Sequence, residues 1–136
     1  MRKIYFFGTG IVLLCLASWA IYNLTRSHHN VSGDQAVASL SATGLYSEFA
    51  KNETEANKKW VGKVIEITGV ISSINPSGNY MAINLRGSDD AGINCSVLKK
   101  DLPADVNLRK GDSISIKGKC TGFLMDVNMV DCIVKH

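Results

Sequence analysis

Apolar and polar residues alternate with a period of two in four runs between Gly62 and Cys120, and a fifth apolar-rich run follows from about Val127 to Val134. A period of two residues places successive side chains on opposite faces of a strand. Five strands that each present one apolar face predict a mainly β domain folded around one core. The apolar positions are Ile65, Ile67 and Ile71, then Met81, Ile83 and Leu85, then Ile93, Cys95 and Val97, then Ile114, Ile116, Gly118 and Cys120, with a last strand from about Val127 to Val134.

The segments between these strands indicate how the strands connect. Turn residues fill 75–79, 86–90 and 121–126, and a short helical connection is predicted through Pro103 and Val106. Gly69, inside the long first strand, suits the sharp bend of a small closed barrel. The order predicts a five-stranded OB-fold, which is a Greek-key barrel, with an open sandwich as the alternative.

Two short helices are predicted before the barrel. The first has apolar residues at three-to-four spacing, and the second begins at Asn52, which is a favourable N-cap residue. We expect Trp60, at the end of the second helix, to seal it against the barrel. The apolar positions of the first helix are Leu45, Tyr46, Phe49 and Ala50.

The N-terminal segment from Ile4 to Leu24 contains no charged residue. About 20 apolar residues in a helix span a hydrocarbon core of about 30 Å. Arg2 and Lys3 precede this segment, as the positive-inside rule expects for a cytoplasmic N-terminus. We therefore predict a single-pass anchor over residues 1–25 in the cytoplasmic membrane, with the C-terminal domain outside the cytoplasm, in the periplasm.

Two alternatives to an uncleaved anchor remain open. Ser18-Trp19-Ala20 resembles the small-x-small site of a cleaved signal peptide. Cys15 would be the attachment point in a lipoprotein, although Leu14 occupies the position where a small residue is expected. Each alternative places the domain outside the cytoplasm.

Composition separates the rest of the chain into two parts. Residues 26–40 are polar and predict a flexible linker, and residues 41–136 form the OB-fold domain with its N-terminal helices.

The net charge of +3 arises from the three basic residues that flank the apolar segment, so the outer domain is neutral. Strong nucleic-acid binders carry a basic excess, and we therefore expect nucleic acid to be an improbable ligand.

Several stretches carry a family resemblance. The segments at 49–53, 56–66 and 117–127, which include Ala56-Asn57-Lys58-Lys59-Trp60 and Cys120-Thr121-Gly122, resemble the tRNA-anticodon-like OB-fold family of bacterial envelope proteins. The resemblance covers about residues 40–135, and a Ser88-Asp89-Asp90 run also looks typical of it. It implies an N-terminal anchor followed by one OB domain, and it implies no established activity.

The residue pattern predicts a binding protein and no enzyme. No Ser-His-Asp set, cofactor motif or spaced metal ligands are present, and we treat Asp89 and Asp90 as a solvated loop tip. OB-folds commonly bind ligands on the outward face of strands two and three and on the loops after strands one and four. The predicted ligand-binding residues are therefore Tyr80, Asn84, Arg86, Asn94, Ser96 and Phe123.

Three cysteines fall on strands of the domain, where alternation turns Cys95 and Cys120 inward. Cys132 also points inward if the last strand has a bulge near Met129-Val130. In an oxidising envelope we predict a Cys120–Cys132 disulfide, with three buried free thiols as the alternative.

Three functions follow as hypotheses. The first is an anchored binding module for a protein, peptide or glycan of the envelope. The second is a single-stranded nucleic-acid binder, which only the fold suggests. The third is a structural or accessory envelope component.

Overall fold

The computed structural model describes residues 14–19 and 31–135. Most of the predicted anchor therefore lies outside the described residues, as does His136. Residues 14–19 are helical and exposed. Within the described ranges, no helix has both the length and the apolar character needed to cross a membrane.

A closed five-stranded barrel forms the domain, which confirms the predicted architecture. The strands are β2 (Val64–Ser77), β3 (Tyr80–Arg86), β4 (Gly92–Leu98), β5 (Ser113–Leu124) and β6 (Asp126–Lys135). The order along the sheet is β2-β3-β4-β6-β5, and a β2–β5 pairing closes it. Strand β2 spans both ends of the barrel because its first half pairs with β5 and its second half with β3.

The core consists of the residues that alternation predicted to point inward, together with one face of the first helix. Its largest fully buried side chains include Leu45, Phe49, Ile65, Ile67, Ile71, Ile83, Leu85, Ile93, Ile116 and Met129. Met81 and Ile114 are only partly buried at its margin.

Within residues 31–135, two helices precede the barrel, as predicted: α1 (Ala42–Lys51) and α2 (Glu53–Trp60). The Asn52 side chain accepts a hydrogen bond from the Glu55 N–H at 3.2 Å, which confirms the N-cap. Trp60 is 5% exposed, and its indole N–H donates to Glu48 at 2.8 Å. This hydrogen bond, with one from Lys59, lowers the pKa of Glu48. Ala50, which the helical spacing placed on the inward face, is exposed. Ala42 is buried instead.

Helix α1 lies directly on β2 at Gly69. A side-chain Cβ at that position would approach the Ala42 Cβ to 2.7 Å. Glycine therefore permits the close contact between helix and strand, which is a second role beside the predicted bend.

The connections are shorter than the sequence predicts. Strand β2 continues through Pro76 to Ser77, so that only Gly78 and Asn79 form the first turn. Gly78 has a positive φ of 55°, as a two-residue hairpin turn requires. The last turn also narrows, since β5 reaches Leu124 and β6 begins at Asp126. Between β4 and β5 the only helical element is a 3₁₀ turn, Lys99–Asp101, which precedes Pro103.

Residues 31–41, most of which were predicted to be linker, pack on the barrel. Val31 is fully buried, and Ser39–Ser41 forms a short strand, β1, parallel to β2. Lys117, predicted to face solvent, is only 9% exposed beneath this segment. Its Nζ donates to the carbonyl oxygens of Ser32 at 3.1 Å and Asp34 at 2.9 Å, and these bonds compensate for the burial of its charge.

The three cysteines of the barrel are buried, as predicted, and the structure has all of them as free thiols. The bulge in β6 lies at Asp131, which has a φ of 52°, and it turns Cys132 inward. The Cys132 thiol is hydrogen-bonded to Cys95, and this contact together with burial raises the pKa of Cys95. In the β5–β6 ladder Cys120 is opposite Met129 and not Cys132.

Candidate ligand-binding cleft

Strands β3 and β4 present a polar outward face. Asn84 on β3 is directly opposite Asn94 on β4, and Arg86 is opposite Gly92 at the end of the pair. Both amide side chains are half-buried, whereas Arg86 is exposed. These residues were predicted to bind ligand, and the ladder register brings them together.

An open cleft of about 530 Å³ lies at this end of the face. Its walls come from β2, β3, β4, the loop between β3 and β4, and the segments just before β5 and at the start of β6. The lining residues are Ser72, Ser73, Asn84, Arg86, Ser88, Asp89, Asp90, Ala91, Gly92, Asn94, Lys110 and Asp126.

A β-bulge builds the side of the cleft that β2 contributes. The β2–β3 register shifts between Ile71 and Ser73, so that Ser72 and Ser73 both reach β3. The Ser72 hydroxyl donates to the Asn84 carbonyl at 3.0 Å, and the Asn84 amide nitrogen donates to the Ser73 hydroxyl at 2.8 Å. The first bond holds the Asn84 backbone, and the second fixes the orientation of its side-chain amide in the cleft.

The loop after β3 is held by its own hydrogen bonds. The Ser88 N–H donates to the Ala91 carbonyl at 2.7 Å, and the Ala91 N–H donates to the Ser88 hydroxyl at 3.2 Å. Asp89 and Asp90 are exposed at the tip, as expected for a solvated loop. The cleft therefore has a stable rim that presents two carboxylates.

Asp126 joins the start of β6 to this rim. Its carboxylate accepts a hydrogen bond from the Gly92 N–H at 2.7 Å. Gly92 cannot carry a side chain, since a Cβ would overlap the Leu85 carbonyl oxygen. The hydrogen bond between the Gly92 N–H and the Asp126 carboxylate fixes the β5–β6 hairpin at the mouth of the cleft.

The charges of the cleft are mixed. Arg86 and Lys110 are its two cations, and Asp89, Asp90 and Asp126 are its three carboxylates. None of the described lining residues is aromatic or a histidine. Such a surface suits a ligand with hydrogen-bonding groups and charges of both signs, and it lacks the cationic groove and stacking platforms typical of single-strand binders.

The remaining predicted site residues lie apart from the cleft lining. Tyr80 and Ser96 are on the same two strands, with Tyr80 opposite Leu98 at the far end of the ladder. Phe123 lies outside the cleft lining, and its ring stacks on Phe49 with centroids 5.7 Å apart. It also meets Tyr46 edge-on at 5.9 Å, so it is a packing residue between the hairpin and α1.

Sequence reasoning missed Ser72, Ser73, Lys110 and Asp126. One signal was available for the serines: the apolar spacing lengthens from two residues to three between Ile71 and Ile74, which indicates a bulge. No comparable signal marks Lys110 or Asp126, since tertiary folding alone brings them to the cleft.

The described residues offer no metal centre. Across residues 14–19 and 31–135, no group of three or more His, Cys, Asp or Glu side chains is arranged to hold an ion.

Comparison with known proteins places these features in context. The tRNA_anti-like family matches residues 2–134, a range that includes both the apolar N-terminal segment and the barrel. No match was found among curated proteins.

Two solved structures illustrate the range of similarity. One is a "putative nucleic acid-binding lipoprotein" from Klebsiella pneumoniae, with a TM-score of 0.57 and 19% identity over 71% of this chain and 91% of that chain. A second is the Stn1-Ten1 complex of S. pombe, with a TM-score of 0.39 and 16% identity over 49% of this chain and 52% of that chain. The similarity to the Klebsiella pneumoniae protein shows a common fold.

Proposed function

The chain belongs to the tRNA_anti-like family, and from this premise we propose that it is a membrane-anchored binding module outside the cytoplasm that takes a protein, peptide or glycan ligand in the polar cleft. The single observation that carries the proposal is the cleft itself. It combines two opposed amides, a preorganised loop and charges of both signs on the face that OB-folds commonly use. We assign it no catalytic step.

The chemistry of the cleft supports a ligand bound mainly by hydrogen bonds. Asn84 and Asn94 each offer donors and an acceptor, and the bond from Asn84 to Ser73 removes rotational freedom before binding. Preorganised groups lose less entropy when a ligand arrives. The carboxylates at 89, 90 and 126 oppose a polyanion and favour a neutral or mixed-charge ligand.

Binding is tested with the full-length chain in detergent. The probes are a glycan array, a random peptide library and a fluorescein-labelled single-stranded oligonucleotide. Asn84→Ala combined with Asn94→Ala is expected to weaken the bound glycan or peptide roughly 30-fold, because two hydrogen-bonding side chains are lost. Gln35→Ala with Asn107→Ala, two exposed amide residues outside the cleft lining, is the matched control and is expected to bind as wild type. Equal losses in both pairs, with the fold intact, would remove the cleft from the proposal.

The membrane anchor is part of the same proposal. It is supported by the uncharged run from Ile4 to Leu24 and by the family match, which begins at residue 2. Alkaline phosphatase fused after His136 is expected to be active, because it requires an oxidising compartment. An inactive fusion would contradict an extracytoplasmic domain. The intact mass of the membrane-extracted protein distinguishes an uncleaved anchor from a cleaved signal peptide or a lipid attached at Cys15.

Single-stranded nucleic acid is the second candidate. The fold shared with a protein described as nucleic acid-binding favours it, and Arg86 and Lys110 supply cations within the cleft. Binding through phosphates would weaken steeply with salt, because counterions are released on association. Oligonucleotide binding that shows this dependence and is lost in Asn84→Ala/Asn94→Ala would replace the glycan or peptide proposal.

A further inference from the structure

The tip of the β5–β6 hairpin exposes two large apolar side chains. Leu124 is 83% exposed and Met125 is 84% exposed, more than any other large apolar side chain of residues 31–135. A turn between two strands needs no apolar residue, and polar or glycine residues usually fill such positions. The tip is therefore a candidate contact surface.

The backbone presents this pair in a fixed conformation. Leu124 is opposite Asp126 in the ladder, so the turn consists of Met125 alone. Met125 has a φ of 64°, a left-handed conformation that residues with a side chain rarely adopt. Such backbone conformations persist where the surrounding structure determines them, and they are concentrated at ligand-binding sites.

The tip is joined to the cleft lining through Asp126, and Leu124 also lines a second surface pocket beside Phe123. Asp126 follows the tip and accepts the Gly92 N–H, while Phe123 precedes it and packs on α1. Tyr46 of α1 touches Phe123 and lies against Gly87, at the base of the loop that carries Asp89 and Asp90. One helix side chain thus supports both the hairpin and the rim loop.

We propose that the ligand of the cleft is an extended peptide segment with an aliphatic side chain beside a charged one, and that Leu124 and Met125 contact the aliphatic group. This inference rests on the proposed function and selects one class from it. Paired side-chain amides match the alternating donors and acceptors of a peptide backbone. Two aliphatic residues match an aliphatic side chain, and methionine adapts to varied partners.

The other ligand classes fit less well. Sugars commonly use aromatic platforms for their apolar faces, and no described lining residue of the cleft is aromatic. Phosphates would meet three carboxylates in the cleft. An apolar tip of two side chains is too small for an independent protein interface, so it acts together with the cleft.

The test starts with a random dodecapeptide library displayed on phage and selected against the full-length chain in detergent. Selected peptides are expected to share an aliphatic position next to a charged one. Leu124→Ser with Met125→Asn is expected to weaken a selected peptide about 10-fold, because the apolar contact is lost. Asparagine tolerates the left-handed conformation, so the turn is preserved. Val37→Ser with Val61→Ser removes two exposed apolar side chains outside the cleft and is expected to bind within about twofold.

The outcomes separate this inference from the proposed function. Peptides that bind without an aliphatic position, or that bind Leu124→Ser/Met125→Asn as tightly as wild type, would overturn the inference. If they still require Asn84 and Asn94, the cleft remains the binding site. Selection of no peptide, together with glycan binding that requires the same asparagines, would also overturn the inference and leave the proposed function in place. Binding that is independent of Asn84 and Asn94 would overturn both.

Discussion

Gly92→Ala is expected to destabilise the domain by about 3 kcal/mol and to abolish binding at the cleft. Gly92 is buried at the start of β4, and an alanine Cβ would overlap the Leu85 carbonyl oxygen of the paired strand. Both neighbours of that Cβ at 3.1 Å, Gly87 N and Leu85 C, are also backbone atoms, so no side-chain rotation relieves the clash. Overpacking of this kind requires the strands to separate.

The loss of binding in Gly92→Ala has a cause separate from the loss of stability. The Gly92 N–H donates to Asp126, and displacement of β4 would break this bond between the rim and the hairpin. Urea denaturation measures the stability change. Gly33→Ala is the matched control, since nothing lies within 4 Å of a Cβ there, and its change is expected to stay within about 0.5 kcal/mol. A Gly92→Ala protein as stable as Gly33→Ala would refute the close approach of β3 and β4.

Phe49→Ala is expected to lower the free energy of unfolding by about 4 kcal/mol. Phe49 is 1% exposed on α1, and its ring stacks on Phe123. Removal of a buried phenylalanine loses its transfer free energy and leaves a cavity, and such substitutions cost about 3–5 kcal/mol. The Phe123 ring would also lose its support, so binding is expected to weaken together with stability.

A more conservative substitution at the same site shows how much of the lost stability comes from the cavity. Phe49→Leu keeps most of the volume and is expected to cost about 1 kcal/mol. Thermal and urea unfolding of both variants give the comparison. Equal and small losses in Phe49→Ala and Phe49→Leu would mean that α1 is not part of the core.

Much of the barrel could be predicted from the sequence because each strand buries one face only. The alternation of Ile65, Ile67 and Ile71 on β2 is read directly as an inward face, and the same holds for Ile93, Cys95 and Val97 on β4. The start of α2 was also predictable, since Asn52 caps it through a local hydrogen bond.

Departures from alternation were predicted less well. Lys117 occupies an outward strand position, yet residues 31–41 cover it, and nothing local to Lys117 signals that a distant segment will supply carbonyl acceptors. The turns at Gly78 and Met125 were predicted in the right places but too long. The length of each turn depends on how far the two strands remain paired. Pro76, a residue typical of turns, is still part of β2.

Some residues of the candidate site could likewise be predicted from strand pairing, and others could not. Asn84, Arg86 and Asn94 follow from the fold, because outward positions on paired strands are neighbours. Lys110 and Asp126 come from separate segments and required the tertiary structure. The packing of the Phe123 ring on α1 could not be predicted, because strand periodicity does not encode that contact.

Photo-crosslinking in cells tests most directly whether the cleft is the ligand-binding site. Benzoylphenylalanine is placed at Asp90 on the rim of the cleft and, as a control, at Thr68, an exposed position outside the cleft lining. We expect a defined adduct from position 90 that disappears in the Asn84→Ala/Asn94→Ala background, and none from position 68. Adducts of equal yield from both positions, or an adduct at position 90 that persists without the two asparagines, would contradict binding at the cleft.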